Sequence, residues 1–469
     1  MKITLVMPGV GRKPGEAYVD SWKMEPLAPA VLAALTPPDV EVRFVDDRLE
    51  PIPYDEPTDA VGINVETYTA RRAYTIAERF RRRGVPVILG GYHPTLVPEE
   101  ALAHAEAIVE GEAEAVWPRV IEDLRTGRRA PRSGRRRYRA EDGGTPARVS
   151  PRRSLFAGKR YLPMTLIEAG RGCRFACEFC SVAQFYRHTA ATRPVNDILA
   201  EIESAGGRTV FFVDDNVVAD PDRARQLFEA LGPARIRWFS QGSITMADDP
   251  RLLALMRKSG CHGVLIGFES LSATTLAAMG KSWNRALRDY EHSIRRIRDA
   301  GIAIYATFVF GYDTDDADAF DRTVEFAIQQ KFHVAAFNHL IPFPGTPLYR
   351  RLQQEGRLRF DPWWLDAQYR FGDVAFHPRN MSAEELADRC FQARNTFYRL
   401  GSILSRARDL KSNCRDLRGA ASYFWLNLFS GREMRRRQGL PLGTGFEDDE
   451  DDCQAAGRVP TGGFQGVDA

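Results

Sequence analysis

Three cysteines, Cys173, Cys177 and Cys180, stand in the run Gly-Arg-Gly-Cys-Arg-Phe-Ala-Cys-Glu-Phe-Cys. The spacing is Cys-x3-Cys-x2-Cys, with no fourth cysteine beside it. Thiolates are soft ligands that suit iron–sulfur clusters or zinc. A closed structural zinc site or an electron-transfer 4Fe–4S cluster takes four protein ligands. Three thiolates leave one metal position open for a substrate or cofactor. The competing reading is a zinc knuckle completed by a distant His188 or Cys261. Phe179, just before the last cysteine, and the strand leading into the loop weigh against it.

The motif resembles the cluster loop of the radical S-adenosylmethionine enzymes. The resemblance implies that the three cysteines hold three irons of a 4Fe–4S cluster. It implies that the amino and carboxylate groups of S-adenosylmethionine chelate the fourth iron, and that cleavage of the sulfonium yields a 5′-deoxyadenosyl radical. Phe179 is then expected near the adenine. Many members carry Gly-Gly-Glu after the second barrel strand to bind the methionyl amine. This chain has Val213-Asp214-Asp215-Asn216, as is usual in the cobalamin-associated branch, and an aspartate can accept the same ammonium hydrogen bonds. Glu269-Ser270, in Ile-Gly-Phe-Glu-Ser, matches the fourth-strand motif near the S-adenosylmethionine ribose or carboxylate. Gln241 ends the third strand on the same rim. Pro342-Phe343-Pro344-Gly345-Thr346-Pro347 matches a turn after the sixth strand that shapes the adenine pocket. No residue is assigned to control the substrate radical.

The elements that must position these groups form two α/β halves. Residues 1–126 alternate strand and helix, with strands at Lys2–Met7, Val40–Val45, Ala60–Val65 and Val85–Leu89 and a last short one at Ala107–Val109. That pattern predicts a doubly wound, Rossmann-like parallel sheet, which binds ligands beyond the carboxyl ends of its strands. Gly90-Gly91-Tyr92-His93-Pro94-Thr95 resembles a loop of the cobalamin-binding domain that precedes many radical S-adenosylmethionine barrels. Gly90 and Gly91 would let a large ligand approach the backbone, and His93 is a further candidate near it. The Asp-x-His-x-x-Gly segment that supplies a cobalt ligand in some cobalamin proteins is absent after the first strand. Gly9, Gly11 and Gly15 stand there instead, as a phosphate-cradling loop or a plain flexible one.

From residue 161 to 350 six strand–helix units read as a partial (β/α)6 TIM-type barrel. Asp220-Pro221 and Asp249-Pro250 cap two of its helices, and Gly206, Gly232, Gly260 and Gly301 close others. Polar residues gather where its strands end, the rim on which barrel enzymes build their sites. Residues 127–160, with Arg135, Arg136, Arg137 and Arg139, read as a basic linker. A helical extension is expected over 351–435. Its run Tyr423–Phe429, with Arg435-Arg436-Arg437 behind it, is expected to pack on the barrel, the alternative being a membrane or lipid substrate. Residues 436–469, with Glu-Asp-Asp-Glu-Asp-Asp at 447–452, read as a disordered acidic tail.

The 469 residues carry 44% hydrophobic and 27% charged residues and a net charge of +3, ordinary for a soluble globular protein. No signal peptide and no membrane-spanning stretch is read, so a reducing cytoplasm is expected, and no nucleic-acid partner. The resemblance is motif-level across the barrel, looser before it, and extends to the hopanoid C-2 methylase branch. It implies three cofactors: a 4Fe–4S cluster, S-adenosylmethionine and cobalamin. The expected reaction is methylation of an unactivated carbon on a small-molecule or lipid substrate, with flavodoxin or ferredoxin as electron donor. The alternatives are radical cyclisation, rearrangement or carbon–carbon bond formation without methyl transfer, and a non-catalytic iron–sulfur or zinc protein.

Overall fold

A computed structural model describes residues 1–127, 136–140, 149–284 and 287–446, the side chains of 287–289 excepted. Arg135 and the acidic run at 447–452 lie outside the described residues.

Six parallel strands form the first sheet: β1 (Lys2–Met7), β2 (Glu41–Asp46), β3 (Ala60–Asn64), β4 (Val87–Gly90), β5 (Ala107–Glu110) and β6 (Arg136–Arg139). The central strands are near-continuous apolar runs because helices cover both faces of the sheet. The order β2-β1-β3-β4-β5-β6 puts the topological switch point between β1 and β3. Strand β6 corrects the reading of 127–160 as linker and of β5 as the last strand. It is an edge strand, and its alternate arginines face outward while Tyr138 is buried. Charged edges of this kind resist edge-to-edge pairing, and they also hide a strand from apolar-pattern reading.

The second sheet begins with β7 (Thr165–Ile167). A short antiparallel hairpin follows, β8 (Gly170–Gly172) and β9 (Ala190–Thr192). The sheet then continues through β10 (Thr209–Phe212), β11 (Arg237–Gln241), β12 (Cys261–Glu269), β13 (Ala303–Phe310) and β14 (Val334–His339). All neighbours are parallel and in chain order, from β7 to β14, as a partial (β/α)6 barrel requires. Asp220 and Asp249 each accept two backbone N–H bonds at the starts of their helices. Gly206 closes its helix in the left-handed conformation, whereas Gly232 stays right-handed and opens a 3-10 turn.

Helices Ala383–Phe397, Leu400–Ala407 and Leu417–Arg437 follow the barrel. Packed structure then continues through Phe446, past the boundary at 436 expected for a disordered tail. A two-residue strand, β15 (Arg370–Phe371), pairs with β16 (Leu440–Pro441). Leu440, Leu442 and Phe446 are buried. The segment lies across the loop after β1: Gly443 N–H donates to the Val10 carbonyl at 2.7 Å, and Arg12 N–H to the Thr444 carbonyl at 2.9 Å. A Cβ on Gly9 would lie 2.6 Å from the Phe446 ring, and one on Gly11 only 1.8 Å from the Pro441 carbonyl oxygen. Gly9 and Gly11 are therefore neither a phosphate cradle nor a flexible loop. They are small because another stretch of backbone passes over them.

Candidate functional site

The cysteine loop follows β8 on the carboxyl-end rim of the barrel. All three cysteines are half-buried free thiols, and Cys180 N–H donates to the Cys177 carbonyl at 3.1 Å. Two aspartates tie down the strand that enters the loop. Asp214 Oδ2 accepts from Ala169 N–H, and Asp215 Oδ2 from Gly172 N–H, both at 2.9 Å. Asp214 is buried, and desolvation pushes its carboxyl up to about 8; that of Asp215 is raised for the same reason.

The far side of the loop rests on residues 279–283. Glu178 N–H donates to the Met279 carbonyl at 3.0 Å. Gly280 has φ of +70°, and a Cβ there would lie 2.9 Å from the Ala176 carbonyl oxygen. Phe175 stacks on Trp283 with centroids 3.9 Å apart. The Glu178 carboxylate is gripped by Arg351 at 2.7 Å. Burial raises all three thiols, Cys177 to about 11, with Lys281 opposing the shift at Cys173 and Cys177. Thiols held protonated must release protons when they bind metal.

The donor set fits an iron–sulfur cluster. The two residues weighed as a fourth zinc ligand are misplaced: Cys261 is buried at the start of β12, the opposite end of the barrel from the loop, and His188 is exposed. Among the described residues, no three His, Cys, Asp or Glu side chains converge on a single ion.

Glu269 ends β12 with φ of +63°, a conformation that L-residues avoid. It is buried and ion-paired with Lys281 at 2.8 Å, and Lys281 also donates to the Gly267 carbonyl at 2.8 Å. The pair stands beside Cys177, whose thiol feels both charges. Ser270 accepts from Ser272 N–H at 3.1 Å. Gln241 is half-buried at the end of β11, and its carbonyl accepts from Val217 N–H. Phe179 is partly buried against the barrel core. Cysteine loop, Asp214, Asp215, Gln241, Glu269 and Ser270 thus share one rim. Lys281 and Trp283 complete it and were not read from the sequence. The only local signal was the Gly280-Lys281 pair just after a short helix.

Between the two sheets lies a cavity of about 440 Å³. Met7, Asn64, Gly90, Gly91 and Gly111 bring the carboxyl ends of β1, β3, β4 and β5 to it, at the switch point. It continues past Gly62 between the sheet and Leu27, Leu32 and Trp117. Arg171, Phe185, Tyr186 and Asp215 close it from the barrel side, and Tyr92 stacks on Phe185 at 4.3 Å across the two halves. Gly91 has φ of +108°, and its missing Cβ makes room for Asn64 Oδ1. Glu66 lines this cavity, and desolvation by the surrounding protein pushes its carboxyl up to about 7. The volume is in the range of small-ligand sites and suits a nucleotide-like tail.

His93 is not there. It is fully buried behind the loop, with Nε2 3.1 Å from Tyr74 Oη and 2.9 Å from Glu100, and its ring lies edge-on to Trp364. Among the described residues, no histidine lines the cavity. The expectation of His93 beside a cofactor is corrected: a polar cluster in the core holds it.

Arg171, inside β8, ties the halves together. It donates to Glu168 on the barrel at 2.7 Å, to Glu112 of the first half at 2.7 Å, and to Glu114. Arg153 makes a second tie, to Glu25 and, at 2.8 Å, to Glu201.

The family model described as the radical SAM superfamily matches residues 167–327, and a domain of unknown function, DUF4070, matches residues 346–435. The chain is 30% identical over 409 residues to the bacteriochlorophyllide d C-12(1)-methyltransferase of Chlorobaculum tepidum, covering 84% of this chain and 87% of that one. It is 27% identical to the hopanoid C-2 methylase of Rhodopseudomonas palustris, over 72% of this chain and 66% of that one. Among solved structures it is similar to the cobalamin-dependent S-adenosylmethionine radical enzyme OxsB with aqua-cobalamin bound. That match has a TM-score of 0.65 and 13% identity, over 92% of this chain and 72% of that one.

Proposed function

This chain belongs to the radical SAM superfamily, in the branch of its methyltransferases, and from that premise we propose that it methylates an unactivated carbon with cobalamin as the methyl carrier. The observation that carries the proposal is the cavity at the switch point of the first sheet, which opens toward the rim that bears the cysteine loop. When bound, the cluster and S-adenosylmethionine supply a hydrogen-abstracting radical, and cobalamin supplies the methyl group.

Cys173, Cys177 and Cys180 are the cluster ligands in this reading. Asp214 or Asp215 accepts hydrogen bonds from the methionyl ammonium. Phe179, Gln241, Glu269 and Ser270 border the nucleoside. Lys281 holds Glu269 in its strained conformation and places a positive charge beside the thiolates, which favours their ionised form. Gly90, Gly91 and the slot past Gly62 receive the cobalamin tail, with no protein histidine on cobalt. Tyr92 and Phe185 form an aromatic wall that keeps water from the reacting centre. The substrate is a small molecule, and the relatives' acceptors, a bacteriochlorophyllide and a hopanoid, favour an apolar polycycle. A flavodoxin or ferredoxin in the cytoplasm supplies the electron.

The test is anaerobic reconstitution with iron, sulfide and hydroxocobalamin, followed by desalting and incubation with S-adenosylmethionine and reductant. We expect about four irons per chain, retained cobalt, 5′-deoxyadenosine and S-adenosylhomocysteine. Formation of 5′-deoxyadenosine without retained cobalt would leave a radical cyclase or rearrangement enzyme as the better reading. Absence of both nucleosides overturns the enzyme assignment.

A further inference from the structure

Helices Leu400–Ala407 and Leu417–Arg437 and the turn between them carry apolar side chains on an outer face that no other described residue covers. Leu400, Leu404, Leu410, Leu417, Trp425 and Leu428 are 56–90% exposed, six of the seven large exposed hydrophobic residues among those described. On the longer helix the pattern is a stripe. Leu417, Ala421, Trp425 and Leu428 follow at intervals of four, four and three, so they share one face, and Arg432 and Arg435 continue it. The opposite face is anchored: Tyr423 and Asn427 are fully buried, and Asn427 bonds the His333 carbonyl at 3.0 Å. The outer face is thus not left over from loose packing.

Among the described residues, the unpaired charge on these two helices and their flanks is positive. Arg399, Arg408, Arg418, Arg432 and Arg435 are exposed and have no ion-pair partner among the described residues. The acidic side chains nearby are spent on ion pairs. Asp409 and Glu433 are buried against Arg298 and Arg436, while exposed Asp299 and Asp416 are paired with Lys411 and Arg415.

We propose that this face docks on an anionic phospholipid bilayer, with the two helices lying in the interface plane. Apolar residues inserted among headgroups, flanked by unpaired arginines, are the signature of such helices. No helix of the described residues is long and apolar enough to cross a membrane, so the contact is peripheral. A second copy of the chain is a poor occupant. A two-fold contact sets the same patch against itself and would bring these arginines together. An electron donor is also poorly placed. Arg406 and Asn413 fix the helices to the carbonyls of Phe332, His333 and Lys331, at the entry end of β14. The cysteine loop lies at the other end of the strands, roughly 20 Å away along the six residues of β14.

The experiment is vesicle flotation of the full chain with phosphatidylcholine vesicles and with equimolar phosphatidylcholine–phosphatidylglycerol vesicles, at low and high salt. We expect flotation with the anionic vesicles only, weakened by salt. Arg418→Gln with Arg432→Gln should lower binding by about thirtyfold. Trp425→Ser with Leu428→Ser should abolish it, with circular dichroism and thermal midpoint unchanged because both side chains are exposed. No flotation with anionic vesicles, or flotation that survives the serine variant, overturns the proposal. So does light scattering that shows a dimer which the serine variant dissociates, since a second copy would then cover the face.

Discussion

Asp214 is poised by its own burial. A carboxyl that holds its proton to about 8 is neutral in the free protein at pH 7, whereas its ordinary value is 3.8. An ammonium partner demands the ionised form, so binding S-adenosylmethionine there releases a proton. Affinity should rise about tenfold per pH unit from pH 6 toward 8 and then level off. Asp214→Asn should flatten that profile and cost roughly ten- to a hundredfold in affinity, the worth of a charge-assisted hydrogen bond. Calorimetry in buffers of different ionisation heat reads both the affinity and the proton. An unchanged profile in the variant would leave Asp214 as a tie on Ala169 alone. Cys177→Ala should abolish cluster assembly, read as loss of iron and of the sulfur-to-iron charge-transfer absorption. The cysteines were legible because their chemistry lies in local spacing. Lys281 and Trp283 were not, because only the strained end of β12 and the turn at Gly280 bring them to the loop.

At the scale of elements, the loop and its support fold as one piece. Gly280→Ala adds a Cβ 2.9 Å from the Ala176 carbonyl, at a φ that disfavours any side chain. The cost should be about 1–3 kcal/mol. Iron content should fall with it while cobalamin retention stays intact, as iron and cobalt analysis of the same desalted sample would report. The alternating halves and the six barrel strands were readable from apolar runs punctuated by caps and glycines. Strand β6 was not: Arg136, Arg137 and Arg139 look like a solvated linker, and only pairing with β5 makes them a strand. The covering of Gly9 and Gly11 was equally hidden. A small residue reports that something comes close, never whether it is a ligand, a turn or another part of the chain.

At the scale of the molecule, charged ties hold the two halves around the cavity. Arg171→Met would leave Glu112, Glu114 and Glu168 facing one another without their cation. We expect a loss of about 3 kcal/mol and thermal unfolding that splits into two transitions, with cobalt retention falling in parallel. A single transition at the parental temperature would show that Arg153 and the apolar contacts suffice. The passage of residues 440–446 over the loop after β1 has a consequence for biosynthesis. The first sheet emerges from the ribosome early, but the pieces that seal its loop are translated only after the whole barrel. Until then Gly9, Gly11 and the buried Arg72–Asp47 pair lie open to water. The order of translation therefore leaves the loop after the first strand unsealed until the last stage of synthesis, when residues 440–446 arrive to cover it.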